Sequence, residues 1–188
     1  MPPVTMPRFS TVIRRLRRSK SGSAAIEFAF IAPVFFIFFF GIMEGGIMFF
    51  GKAALSNATQ DAARLIRTGQ AQTGGMNQSA FKQRICNGIS VLLNCGNLTV
   101  DVQAYPSGFA AGGLGSPTDS NGNLKPNQNN YNVGQPCNVV VVRAFYKYTI
   151  ITPLVGPLLA SNAGKSFNYL TAAAAFRNEP YTSAVSGC

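Results

Sequence analysis

From Phe28 to Met43 the chain reads FAFIAPVFFIFFFGIM, sixteen residues without a charge, and IMFFG follows after Glu44, Gly45 and Gly46. As a helix the first stretch covers about 24 Å, and the run as far as Gly51 covers about 36 Å. Those lengths bracket a hydrocarbon core of roughly 30 Å, so the segment is read as a membrane anchor. The core helix of a soluble domain keeps a polar stripe, whereas this run is apolar on every face. It is also long for the apolar region of a cleaved secretory signal, and no A-x-A site follows it.

Charge placement agrees with that reading. Arg8, Arg14, Arg15, Arg17, Arg18 and Lys20 stand before the first acid, Glu27. The formal net charge is +10, and the ten basic and six acidic residues after Gly22 leave only +4. A basic block directly before an apolar run marks the cytoplasmic flank of a span. A nucleic-acid surface carries aromatics interleaved with its cations on a folded platform, and nucleic acid is therefore not expected as a partner.

Beyond the apolar run Ala54, Leu55, Ala58, Ala62, Leu65 and Ile66 recur at helical spacing, with Asn57, Gln60, Asp61, Arg64 and Arg67 on the other side. The anchor thus continues as an amphipathic helix, one element from Ser23 to Thr68. Pro33 is expected to kink it, and Gly69, Gly74 and Gly75 to end it. A second helix is expected over Asn77 to Leu93, with Phe81, Ile85, Ile89 and Leu92 inward. Leu98 to Tyr105 alternates apolar and polar residues, as a half-buried strand does. Residues 108–136, rich in Gly, Asn, Pro and Ser, read as a long surface loop. Strands are expected at Cys137 to Ile151 and Phe167 to Arg177, joined by an apolar connection with Pro153 and Pro157. Helices followed by strands predict an α+β fold, a small antiparallel sheet packed on the amphipathic helix.

Catalytic chemistry finds little footing. The chain has no histidine, so a serine or cysteine nucleophile lacks its usual base and a metal lacks its usual ligand. Gly164-Lys165-Ser166 matches the end of a P-loop, but Leu159 stands where the first glycine belongs. Asp61, Asp101, Asp119 and Glu179 read as scattered, solvated acids. Neither an enzyme activity nor a cofactor or metal is expected. Cys86, Cys95, Cys137 and Cys188 all follow the apolar run, and an even count on an oxidising side favours disulfides. Proximity suggests Cys86 with Cys95, leaving Cys137 with Cys188, although four cysteines allow three pairings.

Around the start of the apolar run stands Gly22-Ser23-Ala24-Ala25-Ile26-Glu27-Phe28. A basic leader, a glycine, four residues, a glutamate and an aromatic opening an apolar helix resemble the type IV prepilin processing site. The resemblance implies a membrane-embedded peptidase that cuts after Gly22 and leaves Ser23 at the new N-terminus. Ser23 stands where typical type IV pilins begin with an N-methylated phenylalanine. It also implies that Glu27 pairs with the terminal amine of a neighbouring subunit, which suits a carboxylate at the edge of a membrane helix.

The run EFAFIAPVFFIFFFGIMEGG, the Ala-rich helix ending DAARLIRTGQ and the stretch TAAAAFRNEPY are similar to the TadE family of tight-adherence (Flp-type) pilus assembly proteins. Members carry a proline within the apolar segment and a glycine and second glutamate at its far end, here Pro33, Gly41 and Glu44. Glu44 is left either in water at the outer interface or paired with a basic group of another subunit. Gly41 and Gly45 form a small-xxx-small pair suited to close helix contact.

The organisation that follows is a leader over 1–22, a transmembrane helix over 23–51, its amphipathic extension over 52–70 and an extracytoplasmic domain over 71–188. The expected product is a single-pass protein of the bacterial inner membrane, N-terminus in the cytoplasm. Its role is that of a minor pilin or pseudopilin, with a prepilin peptidase, other pilins, the assembly platform and the lipid bilayer as partners. The alternative is an unprocessed, anchored binding module or adhesin.

Overall fold

The structure is a computed structural model that describes residues 22–106, 114–152, 155–160, 164–181 and 188. The leader before Gly22, residues 108–113 of the expected loop, and Pro153 lie outside the described residues. Residues up to Gly41 and residues from Ile42 onward form two compact units.

In the first unit the chain is helical from Ser23, the start of α1 (Ser23–Arg67). Pro33 lies inside α1 without ending it. The apolar side chains here are exposed on all sides, with Phe28, Phe30, Phe35 and Phe38 each more than half exposed. Phenylalanines four residues apart meet along the surface, Phe35 with Phe39 and Phe36 with Phe40.

The second unit contains the rest of α1, the single turn α2 (Gln70–Thr73), α3 (Gln78–Ile89), α4 (Gly156–Leu159) and the strands β1 (Leu98–Tyr105), β2 (Val139–Thr149) and β3 (Phe167–Arg177). The strands form an antiparallel sheet in the order β1-β2-β3. The fold is α+β, as expected. Leu55, Ala58, Ala62 and Ile66 of α1 and Phe81, Ile85 and Ile89 of α3 share one core with Val100, Val102, Val140, Val142, Ala144 and Leu170 of the sheet. The two helices approach closely where Gly88 meets Ala58, since a Cβ on Gly88 would stand 2.7 Å from that side chain. α1 ends because Gly69 turns left-handed at φ 77°, a position where a side chain would also strike the Tyr181 ring.

Several boundaries move from their sequence-based positions, α1 ending at Arg67 rather than Thr68 and β2 at Thr149 rather than Ile151. α3 begins at its cap Asn77, whose side chain accepts from Ala80 N at 2.9 Å, but ends at Ile89 rather than Leu93. The chain then turns back to bring Cys95 to Cys86, so Leu93 enters the core and Leu92, expected inward, is exposed. β2 starts at Val139 because Cys137 is left-handed, with φ 67°, which a strand cannot contain. The disulfides are Cys86–Cys95 and Cys137–Cys188, the pairs that proximity suggested.

β2 is buried on both faces. On the face away from the core, Arg143 donates to Asp101 Oδ2 from Nη2 at 2.7 Å and from Nε at 3.2 Å. Asn130 adds its backbone N–H and its amide to Asp101 Oδ1 at 3.0 and 2.9 Å, and Gln103 reaches the same carboxylate. Asp101 is therefore fully buried and paired, not solvated. The loop does more than cover this pair. Asn130 and Asn132 bond both sides of Val102, so they blunt the free edge of β1. Asp61 is exposed as read, Asp119 accepts from the Asn121 and Asn123 backbones, and Glu179 bridges Arg67 at 3.2 Å.

Burial alone would raise the Asp101 pKa, but the donors from Arg143, Asn130 and Gln103 outweigh it and hold the carboxyl below its ordinary value. Its contribution to stability is complete above the unfolded pKa of about 3.9 and is lost as pH falls through the lower folded value. Asp101→Ala should cost about 3–5 kcal/mol at pH 7, because it strands a buried guanidinium. Urea unfolding of the micelle-bound full chain, followed by circular dichroism, measures this cost. The penalty should shrink towards pH 2.

Candidate functional site

Two carboxylates bracket the apolar run, and the structure treats them differently. Gly22 stands one residue ahead of α1, with open space around it, and Ser23 is the first helical residue. Glu27 lies one turn in, exposed, its Oε1 accepting from Ser23 Oγ at 3.0 Å. Phe28 is exposed beside it. A peptide cut after Gly22 would place a new amine on the residue whose side chain Glu27 already touches.

Glu44 is buried, with only 4% of its surface exposed. Its Oε1 accepts from the Tyr148 hydroxyl at 2.7 Å and from the Ile151 backbone N–H at 3.2 Å. Its Oε2 accepts from the Thr152 backbone N–H at 3.0 Å and the Thr152 hydroxyl at 2.7 Å. Both oxygens thus have partners within the chain, where the sequence left water or a neighbouring subunit as the choice. Burial pushes the Tyr148 phenol well above its ordinary value, and donation to the Glu44 carboxylate adds to the shift. Tyr148 consequently stays protonated and keeps donating. Gly45 and Gly46 follow Glu44, with open space where their side chains would be.

Nothing in the sequence linked Tyr148 and Thr152 to Glu44, which lies more than a hundred residues earlier. The one available signal was the alternation of β2, which puts Tyr148 on the core side near the strand's end. Pro33 and Gly41 both lie within α1. The four cysteines are all in disulfides. Among the described residues no three acids or thiols gather as a metal site requires.

The TadE-like protein family matches residues 22–64, which begin at Gly22 and take in Glu27, Pro33, Gly41 and Glu44. The similarity to that family is confined to this segment, less than half of the chain. No curated protein and no solved structure matches the chain. The family match fits a protein associated with a tight-adherence pilus, and one apolar helix long enough to cross a membrane fits membrane association. The TadE-like match ends within α1, before α3 and the sheet begin.

If the four hydrogen bonds hold Glu44 to the domain, removing them should be costly. Tyr148→Phe deletes one bond to a charged acceptor and should lower stability by about 1.5–3 kcal/mol. Glu44→Ala leaves the buried Tyr148 hydroxyl and the half-buried donors of Thr152 unmatched and should cost more than Tyr148→Phe. Thermal unfolding of the purified chain in micelles ranks the two variants.

Proposed function

We propose that this chain is a minor pilin or pseudopilin of a tight-adherence pilus, cut by a prepilin peptidase between Gly22 and Ser23. The observation that carries the reading is the order glycine, helix start, exposed glutamate at the head of a TadE-like segment. The peptidase hydrolyses the Gly22–Ser23 peptide bond, leaving a carboxylate on the leader and an amine on Ser23. The leader's cations no longer hold the helix at the cytoplasmic face, and α1 is free to leave lipid for a protein assembly.

Glu27 then supplies the assembly contact. An exposed carboxylate at the edge of an apolar helix is costly in lipid until a cation meets it. The Ser23 amine of an adjacent subunit is such a cation, and the contact fixes neighbouring helices at a set stagger. Two disulfides in the domain suit an extracytoplasmic location with the N-terminus inside. The proposed partners are the peptidase, other pilins and the assembly platform, and the role is assembly rather than catalysis.

The size of the folded unit supports a minor component. About 120 residues follow α1, with a three-stranded sheet and a core of their own. A unit of that bulk repeated on every subunit would crowd a filament whose main subunits, by family resemblance, are little more than a helix.

Intact-mass analysis of the membrane-extracted chain should find Ser23 at the N-terminus, and replacing Gly22 by a bulky residue should preserve the full-length species. Recovery of wild-type chain beginning at Met1 or Pro2 would favour the anchored binding module instead. Glu27→Ala should be cut normally yet fail to restore pili to a deletion strain. In sheared wild-type pili, quantitative mass spectrometry should find far less of this chain than of a smaller pilin. Restored piliation removes the pairing role, and equal abundance removes the minor one.

A further inference from the structure

The Glu44 clasp fixes more than stability, because it sets the level of one end of the domain along the helix. Glu44 lies six residues before Phe50, or about 9 Å along the axis. Between them Ile47, Phe49 and Phe50 are exposed, two of them by more than 60%. Ile151 and Thr152 are bonded to Glu44 itself, so they stand at the depth of residue 44, below the last phenylalanines of the apolar run. On the reading that α1 spans the membrane as far as Gly51, that depth is lipid.

The side chains at this end match the placement. Ile151 is 80% exposed and Leu158 84%, so two large apolar side chains stand open at this end of the domain. Leu158 belongs to α4, which the Asn168 amide holds through Leu159 O at 2.6 Å, and Asn168 is the register partner of Tyr148. The clasp and α4 therefore hang from the same end of the sheet. Three cations lie near this end. Lys52 follows Gly51 on α1, and Lys147 and Lys165 reach over the Phe167 ring at 4.5 and 5.8 Å. Asp119 has a carboxylate that feels the charge of Lys165, and the Glu44 carboxylate is enclosed by its own donors. Exposed apolar tips within a basic collar are the surface that a phospholipid bilayer fits, with tips in the acyl boundary and ammonium groups at the phosphates.

We infer that the clasp end of the domain, led by Ile151 and Leu158, rests in the extracytoplasmic lipid surface, so that the protein meets the bilayer through its folded unit as well as its helix. The inference depends on the membrane-span reading of α1, and the test separates the two. Since every native cysteine is in a disulfide, single cysteines can be labelled selectively. Ile151→Cys and Leu158→Cys in the full chain, with Phe38→Cys and Gln60→Cys as controls, are labelled with an environment-sensitive fluorophore. Each is placed in phosphatidylethanolamine–phosphatidylglycerol vesicles containing lipids spin-labelled at the headgroup or along the acyl chain.

The expected result is blue-shifted emission at 151 and 158, quenched most by shallow spin labels, with deep quenching at 38 and water-like emission at 60. Water-like emission at 151 and 158 alongside deep quenching at 38 overturns the inference and leaves the span intact. Loss of quenching at 38 overturns both. Shielding of 151 and 158 that appears only at high protein-to-lipid ratio means another copy covers them, and also overturns the inference.

Discussion

A carboxylate buried among apolar groups is destabilising by several kcal/mol unless its lone pairs are filled. Glu44 has four donors from Tyr148, Ile151 and Thr152, which belong to the end of β2 and the turn after it. That requirement couples parts of the chain which hydrophobic burial alone would leave free to slide. The core between α1 and the sheet is built mainly from aliphatic side chains, whose contacts tolerate small shifts, whereas hydrogen bonds to a charge do not. The clasp therefore fixes the register of α1 against the sheet, and with it the position of Gly51, where a Cβ would lie 3.3 Å from Leu93 and 3.4 Å from Leu170.

A second charge does the same on the opposite face. Asp101 joins β1 to β2 through Arg143 and recruits Asn130, so the long loop closes over the sheet instead of standing off it. The two carboxylates lie on different faces of the sheet and use different strategies. Asp101 is neutralised by a cation, while Glu44 is met by hydroxyl and backbone donors alone. The second strategy suits a site where a permanent opposite charge would itself need solvation.

Much of this fold is legible in the sequence because its signals are local. The spacing of Leu55, Ala58, Ala62 and Ile66, the alternation of Leu98 to Tyr105 and the β-branched run of β2 each specify an element without reference to the rest of the chain. The motif Gly22 to Phe28 is equally local, and α1 begins within it at Ser23. What escaped depends on distant partners. Leu92 has the helical phase of a buried residue, but the Cys86–Cys95 closure ends that phase before it. Asp101 looks like any polar residue of an alternating strand until Arg143 and Asn130 arrive. Composition identified residues 108–136 as loop, yet composition does not reveal that Asn130 and Asn132 complete the hydrogen bonds of Val102.

The Cys137–Cys188 disulfide has a mechanical meaning. The bridged residues are 51 apart, and β2 and β3 both lie between them. A pull applied through α1 and resisted elsewhere on the domain can peel α3 and β1 away, but it cannot draw out the covalently closed loop. About 180 Å of contour length is thereby withheld from extension, estimated at roughly 3.5 Å per residue. Under load the central strand and the C-terminal strand remain within one closed covalent circuit.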